Sequence, residues 1–66
     1  MTINKKIHMI RIKKGMSLAE LAFKTDYTIA EILNFETSGT NLSGYALLKI
    51  ITAFNMSLDE FRNITI

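Results

Sequence analysis

Residues 17–36, SLAELAFKTDYTIAEILNFE, decide the fold. Ser17 is followed three residues later by Glu20, and Thr28 by Glu31. That spacing is the capping box, in which a hydroxyl and a carboxylate each satisfy a free backbone N–H at a helix start. The spacing predicts one helix from Leu18 to about Thr25, with Leu21 and Ala22 on its inner face. A second runs from Ile29 to about Glu36, with Ile32 and Phe35 turned inward. Asp26 and Tyr27 are too few to form anything but the turn between them, and Tyr27 precedes its cap at the hydrophobic staple position.

Working outward toward the amino terminus, Ile3, Ile7 and Ile10 recur at helical spacing and mark the buried stripe of a helix that ends near Lys14. Thr2 or Asn4 caps it. Gly15 is the natural stop, since glycine takes the left-handed conformation at little cost. In the other direction TSGTNLSG, residues 37–44, is the longest polar, turn-rich stretch and reads as a loop. Ser43 or Asn41 caps the helix that follows, from Gly44 to about Phe54. That helix is apolar nearly all round, which predicts that it is the buried one. Asn55 ends it. Ser57 and Glu60 make a third capping box for a short helix through Leu58 and Phe61. The tail from Asn63 to Ile66 is rich in β-branched residues; it is a frayed end, or pairs with Met1 to Ile3, or with another copy. No repeat or linker breaks the chain, so residues 1–66 read as a single all-α domain of five helices.

Composition narrows the chemistry. The chain has 66 residues and no cysteine, so disulfides and thiolate metal sites are excluded, and a single histidine builds no multi-histidine site. No metal or cofactor is expected. No apolar run approaches the ~18 residues of a membrane span, and lysines interrupt the early apolar residues, so neither a span nor a signal peptide is expected. A cytoplasmic, nucleoid-associated protein follows. The charge is uneven. Up to residue 24, six cations (Lys5, Lys6, Arg11, Lys13, Lys14 and Lys24) stand against Glu20 alone. Beyond it, Lys49 and Arg62 stand against five acids. A basic end suits a polyanion such as nucleic acid, although a charged, solvated helix face is the plainer explanation. Enzyme chemistry is not expected. His8 reads as a solvated surface residue, Asp59 and Glu60 are consecutive and point apart, and Ser17, Thr28 and Ser57 serve as caps with no base beside them. The four methionines read as gap-fillers of a small core.

Two helices across so short a turn make a helix-turn-helix arrangement, whose second helix can enter a DNA major groove. The whole order resembles the lambda-repressor/Cro-like (XRE) family of bacterial and phage regulators. The matching residues are KKGMSLAELAF, then ILNFE, then ALLKIITAFNMSLDEF. The resemblance implies a sequence-specific DNA-binding transcriptional regulator, a repressor holding operator DNA as a homodimer. It implies that Thr28, Ile29, Ala30, Leu33 and Asn34 face the bases, and that Ser17 and Leu18 sit beside a phosphate, where helix N-termini bind anions. Lys13, Lys14, Thr37, Ser38, Thr40 and Asn41 are further phosphate candidates. It also implies that Arg11 pairs with Glu36, a pair that is structural first. Leu58, Phe61, Ile64 and Ile66 are the expected dimer face. The reading face departs from the family's habit, because Ile29, Ala30 and Leu33 stand where Arg, Gln, Ser or Thr are common. Apolar side chains contact thymine methyls and Asn pairs with adenine, which points to A·T-rich DNA. The alternative is a protein-binding member of the same fold, using the apolar face of Leu18, Ile29, Ala30 and Leu33.

Overall fold

The hydroxyl of Thr2 accepts a hydrogen bond from the Lys5 N–H and opens α1, Ile3–Lys13. A computed structural model of the chain describes residues 2–37 and 42–64. Helix α1 stops at Lys14, and Gly15 follows with φ +67°. A Cβ there would meet no neighbouring atom, so its backbone conformation alone selects glycine. Ser17 and Glu20 close the expected capping box on α2, Leu18–Thr25. Asp26 ends α2 in the left-handed conformation, φ 66°, which a short polar side chain tolerates better than most. Thr28 and Glu31 close a second box, at 3.1 and 2.9 Å, on α3, Ile29–Thr37. Ser43 caps α4, Gly44–Ala53, and Asn55 turns the chain out of it with φ 61°. Ser57 and Glu60 open α5, Leu58–Asn63. Five helices in the expected order therefore account for the regular structure of the described residues.

Every helix contributes to one core: Ile7 and Ile10 from α1, Leu21 and Ala22 from α2, Ile32 from α3, Ile50 and Ile51 from α4, and Phe61 from α5, with Phe54 beside them. Each large apolar side chain withdrawn from water stabilises the fold by roughly 1.5–3 kcal/mol. Helix α2 packs on α3 and α4, α1 on α3, and α4 on α5. Helix α5 is short, and its open C-terminal carbonyls need partners. Lys6 on α1 supplies them, donating to the carbonyls of Phe61 and Arg62 at 3.2 and 3.4 Å while its ammonium sits over the Phe61 ring.

Three expectations change. Ile3 lies on the predicted stripe but is exposed, because the core begins one turn later at Ile7. Helix α4 is not buried all round. Ala46, Ile50 and Ile51 face the core, while Tyr45 and Leu48 are exposed on the outward side. Ile3, one of the candidate pairing residues for the tail, is helical and offers no strand edge. Instead Ile64 is extended and packs partly buried against the core. Met1, Thr65 and Ile66 lie outside the described residues, as does Asn41, the other cap candidate for α4.

Candidate nucleic-acid interface

Helix α3 has one face tied down and one left open. On the tied face Ile32 is fully buried, and the Tyr27 ring meets Phe35 edge-on, centroids 5.2 Å apart and planes at 82°. Edge-to-face contact is a favoured arrangement of aromatic quadrupoles. Asn4 of α1 donates its amide N–H to the carbonyl of Phe35. At the C-terminal end Glu36 is the hub. Arg11 donates from Nε to Oε2 at 2.6 Å and from Nη2 to Oε1 at 3.1 Å, the bidentate geometry that guanidinium and carboxylate favour. Both residues are buried, at 7% and 6% exposure. The remaining Arg11 nitrogen, Nη1, donates to the Met16 carbonyl at 2.8 Å. One guanidinium thus joins α1, the α1–α2 link just before the Ser17 cap, and the end of α3.

His8 is not merely a solvated surface residue. Its Nδ1 lies 2.7 Å from Oε1 of Glu36, with its side chain about half exposed. Sequence reasoning missed it, and missed Asn4, because each was weighed alone. Asn4, His8 and Arg11 recur at helical spacing and form one polar stripe along α1, and it is this stripe that meets α3.

The open face of α3 carries Thr28, Ile29, Ala30, Leu33 and Asn34, all exposed. Ile29 and Leu33 keep 51% and 46% of their surface in water. Glu31 stands among them, its carboxylate held by the Thr28 N–H. At the start of α2 the Ser17 hydroxyl accepts from Glu20 N–H at 2.9 Å. Among the described residues, no hydrogen bond takes the N–H groups of Leu18 and Ala19. Leu18 itself is half-buried and packs against the core.

Other candidates fall elsewhere. The Thr37 hydroxyl donates to the Leu33 carbonyl at 2.7 Å, so its proton is already committed within α3. Lys13 and Lys14 turn toward α5, lining a groove of about 380 Å³ with Ile10, Asn55, Met56, Glu60 and Ile64. They are not brought together with α3. Glu60 is held below its ordinary carboxylate range, first by hydrogen bonds from the Ser57 backbone and hydroxyl, which outweigh the opposing desolvation, and least by the charge of Lys14. Of the expected dimer residues, Leu58 is exposed and Ile64 half-buried, whereas Phe61 is 3% exposed within its own core and is not free to meet a second copy. Ser38, Thr40, Asn41 and Ile66 lie outside the described residues. Among the described residues no three His, Cys, Asp or Glu side chains gather to hold a metal. No helix among them is long and apolar enough to cross a membrane.

The chain matches the Helix-turn-helix family over residues 7–61, from the first core isoleucine of α1 to the core phenylalanine of α5. No curated protein and no solved structure matches it. The paired capping boxes, the left-handed turn at Asp26 and the open face of α3 agree with that match, and the chain belongs to the lambda-repressor-like (XRE) helix-turn-helix family of DNA-binding regulators.

Proposed function

We propose that this chain is a repressor that binds operator DNA as a homodimer, with α3 in the major groove. One observation carries the reading. Helix α3 is clamped to α1 by Asn4, His8 and Arg11, while the residues of its opposite face are exposed. A helix held in this way can present a fixed set of side chains to base edges, and the cost of ordering them is met on folding rather than on binding. Thr28, Ile29, Ala30, Leu33 and Asn34 are that set. Asn34 pairs with adenine, and Ile29, Ala30 and Leu33 touch thymine methyls, which favours A·T-rich half-sites.

Phosphate is held first by the N–H groups at the start of α2, beside Ser17 and Leu18, where the helix dipole favours an anion. Lys13 and Lys14 add positive field rather than a contact fixed to α3. Leu58 and Ile64 supply the apolar part of the dimer contact, setting two copies of α3 about 34 Å apart, one turn of duplex.

The test is a binding titration at low and moderate salt, on DNA upstream of the chain's own gene and on the same bases scrambled. Specific binding that falls with salt supports the proposal, because each neutralised phosphate releases counterions. Equal, feeble binding to both duplexes refutes it.

A second reading is favoured by the apolar character of the same face. Ile29 and Leu33 are exposed together on α3, and such a patch suits a protein partner. Leu33→Asp separates the two. It abolishes a protein contact outright, while on DNA it weakens binding by repelling phosphate and lowers the preference for A·T-rich sites.

A further inference from the structure

Helix α4 has an outward face that the DNA reading does not use. Tyr45, Leu48, Lys49 and Thr52 recur on it at helical spacing, opposite the buried Ala46, Ile50 and Ile51. With Ala53, and with Lys24 reaching in from α2, they line an open groove of about 360 Å³. Tyr45 is 72% exposed, and Phe23, next to Lys24 on α2, is 84% exposed. The Lys49 ammonium lies 4.7 Å from the Tyr27 ring centre and 5.4 Å from that of Tyr45. Stacking of this kind holds a cation in place at a groove wall. Among the described residues, no carboxylate pairs with Lys24 or Lys49. The groove is lined by two cations and no acid.

We propose that the α2–α4 groove docks an acidic amphipathic segment of a partner protein, with an apolar side chain seated against Leu48 and Ala53 and carboxylates against Lys24 and Lys49. Charge complementarity selects the sign of the partner. The apolar floor selects its class, since a nucleic acid backbone would gain nothing from Leu48 and Ala53. Exposed tyrosine beside an apolar pocket is the composition of a contact centre. The groove is lined by α2 and α4 and includes no residue of α3, so the inference does not rest on what α3 binds. A regulator so built holds a partner and its α3 ligand at the same time.

The probe is a synthetic amphipathic helix with leucines on one face and glutamates on the other, titrated into the isotopically labelled chain and followed by amide shifts. Controls are the same composition scrambled and the same peptide with lysine for glutamate. Saturable shifts should centre on Lys24, Tyr45, Leu48, Lys49 and Thr52, with affinity roughly tenfold above either control. Lys24→Glu and Leu48→Asp both fall on exposed positions, so each should remove binding while melting like the parent. Any of four results would overturn the proposal. The peptide binds no better than its controls, or its shifts centre on Ile29 and Leu33. A mixed-sequence duplex shifts the groove residues instead. The chain self-associates and Lys24→Glu abolishes that, making a second copy the occupant.

Discussion

Arg11→Met should nearly unfold the domain. The guanidinium makes three hydrogen bonds to oxygen acceptors: two to Glu36, at 2.6 and 3.1 Å, and one to the Met16 carbonyl at 2.8 Å. Methionine retains most of the aliphatic stem and removes all three. Glu36 is then a buried carboxylate with one partner left, His8. Breaking a buried pair from one side costs about 3–5 kcal/mol, because the stranded charge stays desolvated. A chain of 66 residues at about 0.05–0.15 kcal/mol per residue has a total stability of about 3–10 kcal/mol. The loss is therefore a third of the stability at the least. The assay is urea unfolding followed by far-ultraviolet circular dichroism. With a slope of about 1 kcal/mol per molar for a small domain, the midpoint should drop by several molar. Arg11→Met with Glu36→Leu discriminates the cause, since removing both charges leaves none stranded and should restore much of the loss. A single variant within about 1 kcal/mol of the parent would refute the reasoning, placing the pair in the class of exposed ion pairs.

Ser17→Ala, Thr28→Ala and Ser57→Ala should each cost about 1 kcal/mol in thermal melts, and no loss at any of the three would reject the helix starts. Glu60 titrates lower in the folded chain than in the unfolded one. Its contribution is therefore present above the ordinary glutamate range and lost as pH falls through the folded value. Glu60→Gln should flatten stability in that acid window, and an unchanged acid profile would count against it. Lys6→Met removes the ammonium donor to the Phe61 and Arg62 carbonyls at the end of α5, so amide exchange should quicken in α5 and not in α2. Asn34→Ala should cost about 1–3 kcal/mol of discrimination at one base pair, whereas Lys13→Ala should weaken all sequences alike and reduce the salt slope.

The helix boundaries were legible because their signals are local. A hydroxyl and a carboxylate three residues apart specify a helix start whatever the rest of the chain does, and Ser17, Thr28 and Ser57 each do so. Gly15 and Asn55 likewise mark their own stops. Burial was less legible because periodicity gives the angle of a side chain and not whether another element covers it. Ile3 and Leu48 are apolar residues left about half exposed, and Phe61, equally apolar, is enclosed by its own core. The Arg11–Glu36 pair was legible through the family resemblance, which supplied both positions, and the structure shows the pair made. The site was not legible at Asn4 and His8, whose partners lie on α3 at a distance in sequence that no local spacing encodes.

The distribution of charge bears directly on how such a chain would hold DNA. The cations of α1 are not interchangeable in space. Arg11 is enclosed by Glu36, Lys6 is engaged with α5, and Lys13 and Lys14 line the α5 side. The capping boxes place Glu20 and Glu31 in the first turns of α2 and α3, where each carboxylate stabilises its own helix yet opposes an approaching phosphate. The same residues that start the two helices therefore lower the affinity of one protomer for a polyanion. The base contacts proposed for Ile29, Ala30 and Leu33 are apolar, and would add discrimination with little long-range attraction. On the DNA reading, then, a single copy binds weakly. Occupancy comes from joining two weak sites, since the second contact is made at the effective concentration that the first imposes. That makes the surface around Leu58 and Ile64 as decisive for operator binding as α3, and ties occupancy to protein concentration more steeply than a basic reading helix would.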